Sequence, residues 1–128
     1  MRKVISTDDA PAAIGTYSQA IQHGNLTFVS GQIPLVPDTM ELVDVNIDDQ
    51  IRQVFANLSA ILHAAGGSLA DVLKFTVYLT NLDHFPRVNE IMAETLSEPF
   101  PARAAIEVSA LPKGAKVEID AIAAIGPD

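Results

Sequence analysis

Residues 46–80, NIDDQIRQVFANLSAILHAAGGSLADVLKFTVYLT, contain a switch from helical to strand periodicity, and that switch decides the fold. In the first part, Ile47, Ile51, Val54, Phe55, Leu58, Ile61, Leu62 and Ala65 recur at the spacing of one apolar stripe. The spacing predicts a helix from about Asp48 to Ala65. Asn46 is placed to cap it, Asp48 and Asp49 suit the positive end of its dipole, and Gly66-Gly67 supplies a stop. In the second part the side chains alternate. Leu73, Phe75, Val77 and Leu79 share one face, and Lys74, Thr76 and Tyr78 the other, which predicts a strand over Val72–Thr80.

Working outward, a second helix is predicted from about His84 to Leu96, with Asp83 as its cap and Pro86 in its first turn. Phe85, Val88, Ile91, Met92, Thr95 and Leu96 form its inward stripe, and Pro99 and Pro101 end it. Two strands follow. In the first, Ala104, Ile106, Val108 and Ala110 share one face, with Arg103, Ala105, Glu107 and Ser109 on the other. In the second, Val117, Ile119, Ala121 and Ala123 lie opposite Lys116, Glu118 and Asp120. Leu111-Pro112-Lys113-Gly114 is of hairpin length. Upstream, Leu26–Ser30 is a β-prone run ended by Gly31, with short strands at Val4-Ile5 and Glu41–Val43 and a loop over Asp8–Gly15. The expected class is α+β, with two helices on one face of a mixed or mostly antiparallel sheet. The other face would carry Arg103, Glu107, Glu118 and Asp120 among Ala105, Thr76, Tyr78 and Ile122. Such a mixture fits either a solvated face or one packed against other subunits.

Composition narrows the class. Residues 1–128 are one domain's worth, with 48% apolar and 19% charged residues, an ordinary globular balance. No apolar run approaches the ~20 residues of a membrane span, and MRKVISTDDAP lacks the apolar core of a secretory signal. A cytoplasmic location is therefore expected. The absence of cysteine excludes thiol catalysis, disulfides and thiolate metal sites. His23, His63 and His84 lack the spacing of a helical metal pair, so no metal and no cofactor is expected. A net charge of −8 with scattered Lys and Arg opposes nucleic acid binding.

No nucleophile elbow, P-loop or dinucleotide fingerprint is present. What remains is electrostatic and acid–base chemistry. Arg103 begins a strand directly after Phe100-Pro101-Ala102, a backbone stiffened by Pro99 and Pro101. Its guanidinium is suited either to a bidentate grip on a small carboxylate or to a salt bridge with Glu107 or Glu118. Glu118 is suited either to orienting and deprotonating a water or to pairing with Arg103 or a lysine.

At these residues the chain resembles a known family. Ala10-Pro11-Ala12-Ala13-Ile14-Gly15, Tyr17-Ser18-Gln19 and Ser30-Gly31-Gln32-Ile33-Pro34 match the RidA/YjgF family of imine deaminases. So do Phe100-Pro101-Ala102-Arg103, Glu107-Val108, Leu111-Pro112-Lys113-Gly114 and Val117-Glu118-Ile119. The resemblance covers essentially the whole chain. It implies a chorismate-mutase-like fold and a homotrimer whose sheets line an inner barrel, with three sites in clefts between subunits. It also implies hydrolysis of 2-imino acids such as 2-iminopropanoate and 2-iminobutanoate to 2-keto acids and ammonium. These imines arise from enamines released by pyridoxal-phosphate-dependent dehydratases, and their removal protects other pyridoxal enzymes.

Carried over by resemblance, Arg103 holds the substrate carboxylate, Glu118 positions the hydrolytic water, and Tyr17 completes the catalytic set. Ser30, Gly31, Asn89 and Ala105 line the substrate site, with Tyr17, Ser30 and Gly31 contributed by a neighbouring subunit. Two positions depart from the pattern. Ala105 stands where many members carry cysteine, yet alanine keeps the backbone N–H through which that position acts. Thr16 replaces a proline and loosens the backbone ahead of Tyr17. Rival functions are a non-catalytic trimer that senses small carboxylates, and a ribonuclease or translation inhibitor.

Overall fold

The computed structural model describes residues 1–126. Its elements, in order, are β1 (Lys3–Ile5), β2 (Ala20–His23), β3 (Leu26–Gln32), α1 (Ile47–Ala64), β4 (Val72–Leu79), α2 (Phe85–Thr95), β5 (Ala102–Glu107) and β6 (Val117–Ala124). The six strands form one sheet in the order β1-β2-β3-β6-β4-β5. All pairings are antiparallel except β4 with β5, which α2 connects as a parallel crossover. This is the expected α+β class, with both helices on one face.

The ends of α1 follow from local chemistry. Asn46 Oδ1 accepts from the backbone N–H of Asp48 at 2.9 Å and of Asp49 at 3.2 Å, a cap worth about 1 kcal/mol. At the other end Gly66 adopts φ 92°. Gly67 N–H then reaches the Leu62 carbonyl and Gly66 N–H that of His63, both at 2.9 Å, so two orphan carbonyls are satisfied. The apolar stripe of α1 packs on Phe75, Val77, Val117, Ile119 and Ala121, all buried. Phe55 and Phe75 meet edge to face with ring centroids 5.7 Å apart.

Several expectations need correction. Asp83 does not cap α2: Asn81 Oδ1 accepts from Asp83 N–H at 2.9 Å and starts a short 3₁₀ turn, Leu82–His84, that leads into the helix. Leu73 is not on the inner face. A register shift between Val72 and Lys74 turns Val72 inward and leaves Leu73 50% exposed. The segment Glu41–Val43 makes only a bridge, Leu42 to Leu35. The strand β2 is an addition. Arg103–Ala110 and Val117–Ala123 are not hairpin partners, because β4 lies between β5 and β6.

That topology also corrects the placement of Arg103. Parallel pairing sets Arg103 beside Phe75, Ala105 beside Val77 and Glu107 beside Leu79, so all three point to the helix side. Glu118 pairs with Tyr78, and Asp120 with Thr76, on the opposite face. Ala104 and Ile106 of β5 belong to that open face, as do Phe28 and Ile122. Phe28 and Ile106 are each 46% exposed there, large apolar groups beside carboxylates on a face that no described element covers.

Candidate active site

Glu118 projects from β6 on the open face and is half-buried. It pairs with neither Arg103 nor a lysine, and none of the ion pairs among the described residues includes it. Burial, followed by the nearby negative charge of Asp120, pushes its carboxyl above the usual glutamate range. The wall beside it is made by a bulge in β3. Val29 pairs with Ala121, but Gln32 pairs with Ile119, so β3 carries one extra residue across Ser30-Gly31. Gly31 is required by contact: a Cβ added there would overlap the Glu118 carboxylate and sit 3.0 Å from its Cδ. The Ser30 hydroxyl donates to the Ser18 carbonyl, which leaves its lone pairs available to a ligand.

Tyr17 stands on the same cleft, half exposed, with its hydroxyl 3.5 Å from Ile14 N. The loop that bears it is held by Gln19, a buried residue the sequence reading passed over as a site determinant. Its Nε2 donates to the Pro11 carbonyl at 2.8 Å and the Thr7 carbonyl at 3.0 Å, and its Oε1 accepts from Thr7 N–H at 2.7 Å. From below, Asn57 of α1 donates to the Leu35 carbonyl at 3.0 Å, and Gln50 accepts from Lys116 N–H at 2.9 Å. Gln50 and Asn57 sit seven residues apart within an apolar stripe, and that periodic interruption is the signal by which they could have been found. The cleft, about 440 Å³, is lined by Tyr17, Ser30, Gly31 and Glu118 with Ile33, Leu35, Met40 and Pro112.

Arg103 lies in a different cleft, with Asn89, Met92, Phe100 and Pro101. Its Nη1 donates to Asn89 Oδ1 at 2.8 Å, and its Cζ is 4.7 Å from the Phe85 ring centroid. A cation over an aromatic face is worth about 0.5–1 kcal/mol and, here, aims the fork. The salt bridges weighed for it do not form: none of the ion pairs among the described residues contains Arg103. Among the described residues only Nη1 of Arg103 has hydrogen-bond partners, which leaves Nε and Nη2 for an incoming carboxylate. Ala105, two residues along the same edge strand, faces the same side. One chain therefore brings Tyr17, Ser30, Gly31 and Glu118 together in one place and Arg103 and Asn89 in another. No described cluster of His, Asp or Glu could hold a metal ion, and no described helix is long and apolar enough to cross a membrane.

A six-stranded sheet backed by two helices, with an arginine presented at its edge and a separate cleft lined by a carboxylate, defines a class of small α+β domain. The chain belongs to the RidA/YjgF family, whose model, described as Endoribonuclease L-PSP, matches residues 7–125. It is 54% identical over 123 residues to a RutC family protein of Pyrococcus horikoshii, covering 96% of this chain and 98% of that one. It is 47% identical over 127 residues to the 2-iminobutanoate/2-iminopropanoate deaminase of Mus musculus, covering 99% and 94%. Among solved structures, RidA from an Antarctic Psychrobacter superposes with a TM-score of 0.93 at 54% identity, covering 96% and 99%.

Proposed function

We propose that this chain is a hydrolase of 2-imino acids, converting 2-iminopropanoate and 2-iminobutanoate to 2-keto acids and ammonium. The observation that carries the reading is the division of labour between clefts: an arginine with free donors in one, an unpaired carboxylate in the other. The two halves lie on opposite faces of the sheet, so a neighbouring copy is needed to bring an arginine of one chain to the carboxylate of the next. The active form is then a homotrimer of single-domain subunits with a chorismate-mutase-like arrangement, its open sheet faces turned inward as a barrel. Phe28 and Ile106, half exposed here, would be covered by that assembly.

In such a site Arg103 of one subunit, steadied by Asn89, grips the substrate carboxylate. Glu118, Tyr17, Ser30 and Gly31 of the next surround the imine. The protonated imine is electrophilic at carbon. Glu118 takes a proton from water as its oxygen bonds to that carbon, giving a tetrahedral carbinolamine. Glu118 returns the proton to nitrogen, the C–N bond breaks, and the hydroxyl proton leaves with ammonia as ammonium. Holding water and imine in place supplies a large part of the barrier reduction. The raised pKa makes Glu118 a stronger base once ionised. The compartment proposed for it is the cytoplasm.

The test generates 2-iminobutanoate in situ with a threonine dehydratase and follows its loss. Acceleration over buffer that disappears in Arg103→Ala supports the reading, and no acceleration refutes it. The family's description favours a second reading, RNA cleavage. The net charge of −8 opposes it. RNA cleavage that co-purifies with the chain and is lost in Glu118→Gln would establish it. Keto-acid binding with no turnover would instead support a carboxylate sensor.

A further inference from the structure

Met40 is unusual on two separate counts. Its backbone lies at φ 59°, in the left-handed region that glycine enters freely and that crowds any Cβ. It is also half-buried and forms part of the wall of the Glu118 cleft. The strained turn is fastened on every side. Met40 N–H donates to the Val36 carbonyl and Val36 N–H to the Glu41 carbonyl, both at 2.8 Å. Lys113 Nζ, from the loop after β5, donates to the Met40 carbonyl at 3.1 Å. A side chain held against backbone preference at a ligand cleft points to a use for that side chain.

We propose that Met40 reads the substrate's side chain, and that the cleft is tuned to 2-imino acids with long, unbranched apolar chains. This rests on the deaminase reading. The imine carbon has three substituents. The carboxylate goes to Arg103, and the nitrogen leaves beside Glu118. The third, the side chain, is left to the rest of the lining, which has Pro11, Ala12 and Ile14 on the Tyr17 side and Ile33, Leu35, Met40 and Pro112 on the other; we assign it to the second group, where Met40 stands. In one chain the cleft holds about 440 Å³, so even after a neighbour's Arg103 closes it, wall is left beyond what a three-carbon imino acid touches. The wall is apolar, so it favours hydrocarbon over hydroxyl-bearing chains. Among its members the thioether of Met40 is unbranched and has the most rotatable bonds, which lets it lie along a flexible linear chain.

The experiment compares imines made in situ by an amino acid oxidase from methionine and from alanine, with residual imine trapped by semicarbazide. Wild type, Met40→Gly and Met40→Ala are measured. The wild type should prefer the methionine-derived imine by kcat/KM. Both variants should lower that preference by about tenfold, the scale set by lost apolar contact. Met40→Gly, which also relieves the turn, should raise the thermal midpoint, whereas Met40→Ala should not. A preference changed by less than about twofold in both variants overturns the proposal. So does a change in Met40→Gly alone, which would trace the effect to loop freedom. A wild type that prefers the alanine-derived imine overturns the tuning but leaves the deaminase reading standing. A wild type inactive on both overturns the deaminase reading itself.

Discussion

Replacing Gly31 with alanine adds one methyl group at the point where the backbone of β3 touches Glu118. The new Cβ would overlap the carboxylate and lie 3.0 Å from Glu118 Cδ and 3.2 Å from Cγ, where carbon atoms prefer about 3.5–4.0 Å. The backbone at Gly31 is held between the paired residues Val29 and Gln32 and does not readily yield. The end of a flexible side chain does. Glu118 therefore swings away by about 1 Å, and the fold loses little: about 1 kcal/mol, at the low end of overpacking costs. If Glu118 is the base proposed above, a displacement of that size costs about 10²-fold in rate. Gly31→Ala should thus keep its thermal midpoint within about 4 °C of wild type while kcat for 2-iminobutanoate falls about a hundredfold. The assay pairs a thermal melt with the coupled dehydratase reaction. Activity within about threefold of wild type, in a folded variant, would refute the argument that Gly31 exists to seat Glu118.

Arg103→Lys keeps the charge but loses the planar fork, so kcat/KM should fall at least about tenfold and chiefly through KM; steady-state kinetics would show it. Gln19→Ala leaves the carbonyls of Thr7, Ala10 and Pro11 without their donor. It should cost about 2–3 kcal/mol in denaturant melts and lower kcat as the Tyr17 loop loosens. Glu118 should impose an acid limb on the rate profile, with its midpoint above the ordinary glutamate range because burial raises that carboxyl. The sign for stability is opposite to that for function. A carboxyl whose pKa is raised by folding binds its proton more tightly in the native state, so ionisation above that pKa weakens the fold. Glu118→Gln should then be inactive yet melt higher than wild type at pH 7. The gap should narrow as pH drops through the raised pKa, and an equal or lower melt at pH 7 would contradict it.

Much of this was legible in the residues. The long helix, its Asn46 cap and its Gly66-Gly67 stop follow from period and end chemistry and needed no tertiary information. The core strands Val72–Thr80 and Val117–Ala123 were also readable, since each has one apolar face. Strand adjacency was not, because periodicity assigns faces within a strand and is silent on which strands pair. The short Leu111–Gly114 connection pointed to a hairpin, but the strand slot beside β4 was contested by two candidates and both flanks were filled. Arg103 was misassigned to the open face for a related reason. Ala102–Glu107 is an edge strand with small or exposed residues on both sides, so its alternation carries no direction. The bulge at Ser30-Gly31 and the strained turn at Met40 are tertiary facts. The roles proposed for Arg103 and Glu118 came from motif resemblance; periodicity alone left ordinary salt bridges open, and none of these forms among the described residues.

The position of β6 has a consequence for how the molecule comes into being. Its residues 117–124 occupy the slot between β3 and β4, near the middle of the sheet. Until they emerge from the ribosome, β1–β3 and β4–β5 lack the one strand that joins them into a single sheet. Their joining depends on contacts between segments distant along the chain, the slow and aggregation-exposed kind. Glu118 sits on that late strand. A nascent chain would therefore gain the carboxylate proposed as its acid–base group only with the strand that unites its sheet.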